Sequence, residues 1–299
     1  MQLDLFEHSR DVSLRNDWAQ TLLRDDLPAA QSALRALADE FPDDTALGDG
    51  PLLMAAVEMA TDAAALTSHE AAASERDYLA LVLVPAAQRV LGAADATAWL
   101  ARRWGQLAQR AAALPFVPEH AGCDAAALWL RAQAWPEARA AVERIPAWRQ
   151  IPQPLAWMAQ AQWQLAGLDT TWPLLAELAW RAPALAQPTL HALPDPALQR
   201  LLRHFESEFE ALAEPADGAP APGDAAAWFP AWALIEQPGL GRLLEACEPG
   251  LQSPPERAAR ELLALLRLER QGQQRALIVH RQRLRDLHPG LFQAYMAYR

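Results

Sequence analysis

Residues 155–183, LAWMAQAQWQLAGLDTTWPLLAELAWRAP, decide the fold of this chain. The apolar residues follow a helical period on both sides of Gly167, so the stretch reads as one helix carrying Trp163, a break at Gly167, and a second helix carrying Trp172 and Ala176. The same plan stands upstream in AALWLRAQAWPEARAAVERIP, where Trp129 lies on one helix and Pro136 opens the next through Ala138 and Val142. Trp129 to Trp163 and Ala138 to Trp172 are both 34 residues apart. Near the beginning, Leu14, Trp18 and Leu22 precede a break at Asp25-Asp26. Leu27, Ala30, Leu34, Leu37, Ala38 and Phe41 then form the stripe of a partner helix, with Pro28 in its first turn and Pro42 closing it. Near the end, ELLALLRLERQGQQRALIVHRQRLRDLHPG again reads as helix, Gly272, helix and Pro289.

Four such hairpins, with a 34-residue interval between two of them, resemble a degenerate tetratricopeptide-type helical repeat over a little under half of the chain. The resemblance implies an all-α fold, antiparallel helical hairpins stacked as a tetratricopeptide-like α-solenoid with a concave binding face. The sequence departs from that family at several places. Most of its first-helix Trp and Gly positions are missing, Trp172 stands where the second helix has a small residue, and the first and third hairpins are not separated by a multiple of the repeat. Residues 51–114 supply further helices. Among them LALVLV passes for a strand by period alone, but its flanks predict a longer helix kinked at Pro85. The Pro-, Gly- and Ala-rich stretch 214–224, EPADGAPAPGD, reads as a linker between a helical-repeat body, 1–213, and a smaller helical piece, 225–299.

Composition narrows the function. All 26 basic residues are Arg, and the net charge of −11 opposes general attraction to nucleic acid or to anionic lipid. From residue 256 onward Arg exceeds acid by five, so the rest of the chain is strongly acidic. Cys123 and Cys247 are far apart and lack neighbouring ligand patterns, which predicts free thiols, a reducing cytoplasm and no structural zinc. The start lacks the basic and apolar regions of a leader, and the longest apolar run, 79–85, is far shorter than the ~20 residues of a bilayer-spanning helix, so neither export nor a membrane is expected.

Motifs that carry chemistry are missing. The seven His are scattered, and there is no H-E-x-x-H, Gly-rich phosphate loop, nucleophile elbow or paired Cys. A non-catalytic protein without cofactor or metal is therefore expected. Glu206 and Glu210, with Glu214 continuing, share one helical face and read as a solvated surface or as a mate for the Arg-rich end. Within that end, Arg267, Arg270, Arg275, Arg281 and Arg285 lie on two consecutive helices as a candidate patch for phosphate or an acidic peptide, unless internal salt bridges take them up.

The opening residues carry the one specific address. Gln2-Leu3-Asp4-Leu5-Phe6 resembles the pentapeptide by which bacterial replication and repair proteins dock on the β sliding clamp of DNA polymerase III, and it matches at all five places. The resemblance implies an extended peptide in a groove, with Leu5 and Phe6 in an apolar pocket, Leu3 in a shallower one and Gln2 fixing register. The alternative is that Leu3, Leu5 and Phe6 simply continue the first helix and cover the open end of its hairpin. The sequence thus predicts a cytoplasmic, bacterial protein–protein adaptor tethered to the clamp. Its rival is a repeat scaffold in a secretion, pilus or defence assembly.

Overall fold

The computed structural model describes residues 3–59, 64–212, 224–248, 250 and 252–298, with the side chains of 3–9, 210–212 and 224 outside that description. Among the described residues every regular element is helical, so the all-α class is observed. Two compact units divide the chain, Met1–Ala141 and Val142–Arg299. The second holds helices from both sides of 214–224, most of which lies outside the described residues.

The first unit contains α1 (Leu3–Leu23), α2 (Leu27–Glu40), α3 (Gly50–Met59), α4 (His69–Tyr78), α5 (Val84–Ala111), α6 (Ala125–Arg131) and most of α7 (Trp135–Glu143). The α1–α2 hairpin forms where the apolar stripes require it. Trp18 and Leu22 on α1 and Ala30 and Leu37 on α2 are fully buried in one core with Leu53, Leu83 and Trp99. Removing a buried ring such as Trp18 would cost about 3–5 kcal/mol. Asp26 starts α2 by accepting a hydrogen bond from the Ala29 amide at 3.1 Å.

The LALVLV segment is helical, but its irregularity differs from a simple proline kink. Leu79–Leu83 forms a π-helical turn between α4 and α5, and the Val84 amide donates to the Leu79 carbonyl. Pro85 brings no N–H to the ladder, and the wider turn just before it absorbs the mismatch. The sharp break comes later, at Gly92, whose φ of 74° and ψ of 167° suit glycine alone. Leu79 and Leu83 are buried, whereas Leu81 is 75% exposed. The run from His69 to Ala111 contains an 18-residue window of mean hydropathy 1.4, 28% of it buried, which is long and apolar enough to cross a membrane by length and composition. Gly92 interrupts that run.

The second unit contains α8 (Pro152–Ala166), α9 (Leu168–Arg181), α10 (Pro183–Ala192), α11 (Pro196–Leu212), α12 (Phe229–Glu236), α13 (Gly241–Leu244), α14 (Pro254–Gln271), α15 (Gln274–Leu287) and α16 (Pro289–Ala297). The hairpins α8–α9 and α14–α15 fall where the sequence places them. Helix α9 is not the one-sided stripe of a surface helix, because every residue from Thr171 to Trp180 is buried. Helix α12 is buried from Phe229 to Ile235 and packs against α9, α11, α14 and α16. These two helices form the interior of the unit, and the amphipathic ones surround them.

Candidate functional site

Of the opening pentapeptide, Gln2 lies outside the described residues, as do the side chains of Leu3, Asp4, Leu5 and Phe6. The backbone is helical from Leu3 onward. The described anchors of α1 all lie further along: Leu14, Trp18 and Leu22 enter the core, Arg10 pairs with Glu40 at 2.9 Å, and Arg15 pairs with Asp44 at 2.6 Å.

Three of the five arginines of the C-terminal set make contacts within the chain. Arg267 pairs with Glu245 at 2.7 Å, and Arg270 donates to the Leu266 carbonyl at 3.0 Å. Arg281 faces Glu269 at 3.6 Å and lies over the Tyr295 ring at 5.8 Å. Arg275 and Arg285 are exposed on α15, with exposed Ile278 and Val279 between them in sequence. Internal acids therefore occupy part of the set, the outcome that helix surfaces usually show.

A different set of charges lines a cleft of about 830 Å³ between α14 and α15. Arg257, Arg260 and Arg283 border it together with Glu256, Glu261 and Asp286, so neither sign dominates. Glu256 is fully buried and saturated. It accepts from the Gly250 and Gln252 amides at 3.0 and 2.9 Å and from Arg260 at 2.6 Å, while Ser253 caps α14 in return. Glu261 pairs with His280 at 2.6 Å. The sequence reading missed this helix start, although Ser253 followed three residues later by Glu256 is its ordinary signature; the Glu256 carboxylate takes the Gly250 and Gln252 amides in place of the Ser253 amide of a full capping box.

A second buried acid, Glu177 on α9, accepts both arms of the Arg149 guanidinium at 2.8 and 2.6 Å and the Glu248 amide at 2.7 Å. Those hydrogen bonds hold Arg149 above its ordinary pKa. The adjacent Cys247 thiol is pushed up to about 12 by burial, with Glu177 adding to the effect. Burial also raises Cys123, whose sulfur lies 3.1 Å from the His120 carbonyl. Both thiols are thus kept in the unreactive protonated form. The oxygens of these buried acids accept from loop amides and from neighbouring guanidinium groups, an arrangement that fixes structure.

No protein-family model, curated protein or solved structure matches this chain.

Proposed function

We propose that this protein is a non-catalytic protein–protein adaptor of bacterial replication or repair, acting in the cytoplasm and tethered to the β sliding clamp of DNA polymerase III through Gln2, Leu3, Asp4, Leu5 and Phe6. The observation that carries the proposal is the five-place match of that segment to the clamp-docking peptide. The α1–α2 hairpin has a foothold outside that segment, with Leu14, Trp18 and Leu22 in the core and Arg10 and Arg15 paired to Glu40 and Asp44. Docking in an extended groove requires the first turn of α1 to unwind, and a helix terminus is where such opening costs least. The recurring hairpins α1–α2, α6–α7, α8–α9 and α14–α15 underlie the further proposal of a tetratricopeptide-like stack offering a face to a second protein. Exposed Arg275 and Arg285 are the part of the arginine set suited to an acidic partner, with exposed Ile278 and Val279 between them in sequence.

Calorimetry with the purified clamp tests the tether: the intact chain binds, and the Leu5→Ala/Phe6→Ala double variant loses at least about tenfold in affinity, as expected for central apolar anchors. Equal binding by both ends the proposal. A second reading is favoured by the helical backbone from Leu3, which continues α1 without a break. In it the segment belongs to the fold, and the chain is a scaffold of a multi-protein assembly such as a secretion, pilus or defence machine. Limited proteolysis separates the two, since the scaffold reading requires the first ten residues to resist cleavage.

A further inference from the structure

We propose that His204, Glu208 and Glu236 form a binding site for a divalent transition-metal ion of the Zn²⁺ type. This goes beyond the adaptor reading and does not depend on it. His204 and Glu208 lie one turn apart on α11, and Glu236 is the last residue of α12, which packs beside it. One ligand-capable atom from each residue lies within 4.8 Å of the others. Nε2 of the His204 ring lies 2.9 Å from Glu208 and Nδ1 lies 3.4 Å from Glu236; an ion takes one of these nitrogens, and one side chain turns to bring both carboxylates to it.

An ion triad centred on a protonated imidazole would give the same distances, with His204 and Glu208 42% and 45% exposed; the charge balance and the shielding of Glu236 favour a bound cation over it. Two carboxylates face one imidazole, so the cluster keeps negative charge whether His204 is protonated or neutral. The Glu236 side chain is only 13% exposed, and its Oε1 is shielded from solvent without a hydrogen-bond partner. A shielded carboxylate oxygen left unmatched is costly, and a cation coordinated there removes the cost. Oxygen and imidazole ligands on adjacent helices suit Zn²⁺, which accepts three protein ligands and keeps a further position open.

The surroundings supply what metal ligands need around them. Buried Trp232 sets its edge against the His204 ring at 5.2 Å, which fixes the ring plane. The Tyr298 hydroxyl hydrogen-bonds to Glu236 and orients that ligand from behind.

Titration calorimetry of the intact chain with ZnCl₂, and metal analysis after dialysis, should find one Zn²⁺ per chain. Co²⁺ in its place should give the intense visible bands of low-coordinate cobalt with a nitrogen ligand. His204→Ala, Glu208→Gln and Glu236→Gln should each weaken Zn²⁺ binding more than about tenfold, and Tyr298→Phe by up to about tenfold. Glu206→Gln removes a carboxylate of the same helix that pairs with His191 instead, and should leave affinity unchanged. Glu208 is the most exposed of the three ligands, so its variant tests the site even where Glu236→Gln fails to fold. The proposal is overturned if the folded chain takes up no Zn²⁺. It is equally overturned if uptake is indifferent to His204→Ala and Glu208→Gln, or if only Mg²⁺ or Mn²⁺ binds, without need of the imidazole.

Discussion

The corner between α1 and α2 and the corner between α8 and α9 make the same turn by different means. In the first, Asp25 takes a positive φ of 56° and the turn is tied from α5, far along the chain. Trp99 Nε1 donates to the Leu22 carbonyl at 3.0 Å, Arg102 donates to the Leu23 carbonyl at 2.7 Å, and Arg103 pairs with the Asp25 carboxylate. In the second, Gly167 takes φ 78° and ψ −172°, its amide donates to the Trp163 carbonyl at 2.8 Å, and the Thr170 and Thr171 hydroxyls donate to its carbonyl at 3.1 and 2.9 Å. Both corners have local hydrogen bonds, and the first is held by ties from α5 as well. Local bonds form as soon as the helices do, whereas the ties from α5 depend on the assembly of the unit.

The largest expected effect comes from cutting the distant tie. Asp25→Ala leaves the Arg103 side chain, only 3% exposed, without its carboxylate and should cost about 3 kcal/mol by urea unfolding. That figure lies at the low end for a broken buried pair because Asp25 itself is 32% exposed. Asp25→Gly sharpens the comparison, since it relieves the backbone but not the charge. It should cost nearly as much as Ala, and a neutral Asp25→Gly would make this corner a local one after all.

Next in size is Gly167→Ala. No atom lies within 4 Å of the added Cβ, so the expected loss of about 2 kcal/mol is backbone strain alone. A harmless substitution would erase the contrast from the other side. Trp99→Phe keeps most of the ring and removes one of two bonds to the Leu22 carbonyl, which still accepts from the Asp25 amide at 3.0 Å, and should cost about 1 kcal/mol in the same unfolding measurement.

The smallest effect is one of pH. Burial pushes the Asp25 carboxyl up, but the hydrogen bond and charge of Arg103, helped by Arg102, outweigh it and hold the pKa below the usual range. A carboxyl depressed on folding stabilises the protein above its unfolded pKa, about 3.9, and loses that contribution as pH falls through the folded value. The stability gap between the native chain and Asp25→Asn should therefore narrow below about pH 3.9, read from urea midpoints across pH 6 to 3. A gap independent of pH would remove the ion pair from the account of this corner.

The same contrast explains what could be read in advance. Gly167, Gly272 and the Asp25-Asp26 break announce hairpins because turn chemistry is local, and all three stand between helices as expected. The apolar stripe of Leu27 to Phe41 was legible for the same reason. The tie from Arg103 to Asp25 was not, because a charge pair separated by 78 residues leaves no periodic trace. Helix α9 misled the stripe reading: burial on all sides replaces the 3.6-residue alternation with a nearly continuous apolar run, in which Glu177 gives no sign of its buried partner. At the candidate metal site the acidic face drew attention to Glu206 and Glu210, whereas the residue one turn from His204 is Glu208. Its other companion, Glu236, lies on the far side of the 214–224 stretch. Only the fold brings them together.

The π turn at Leu79–Leu83 stores one residue more than a regular turn needs, and each residue of an α-helix is worth about 100° of rotation. Deleting Ala80 would take that extra residue out, leave an ordinary turn and keep Ala72 facing the interior, at the cost of bringing the Pro85 ring against the carbonyl one turn before it. The wide turn therefore absorbs a residue without changing phase, and single-residue deletions within it should be tolerated better than the same deletions in the regular turns of α4 or α5, which rotate one helix against the other.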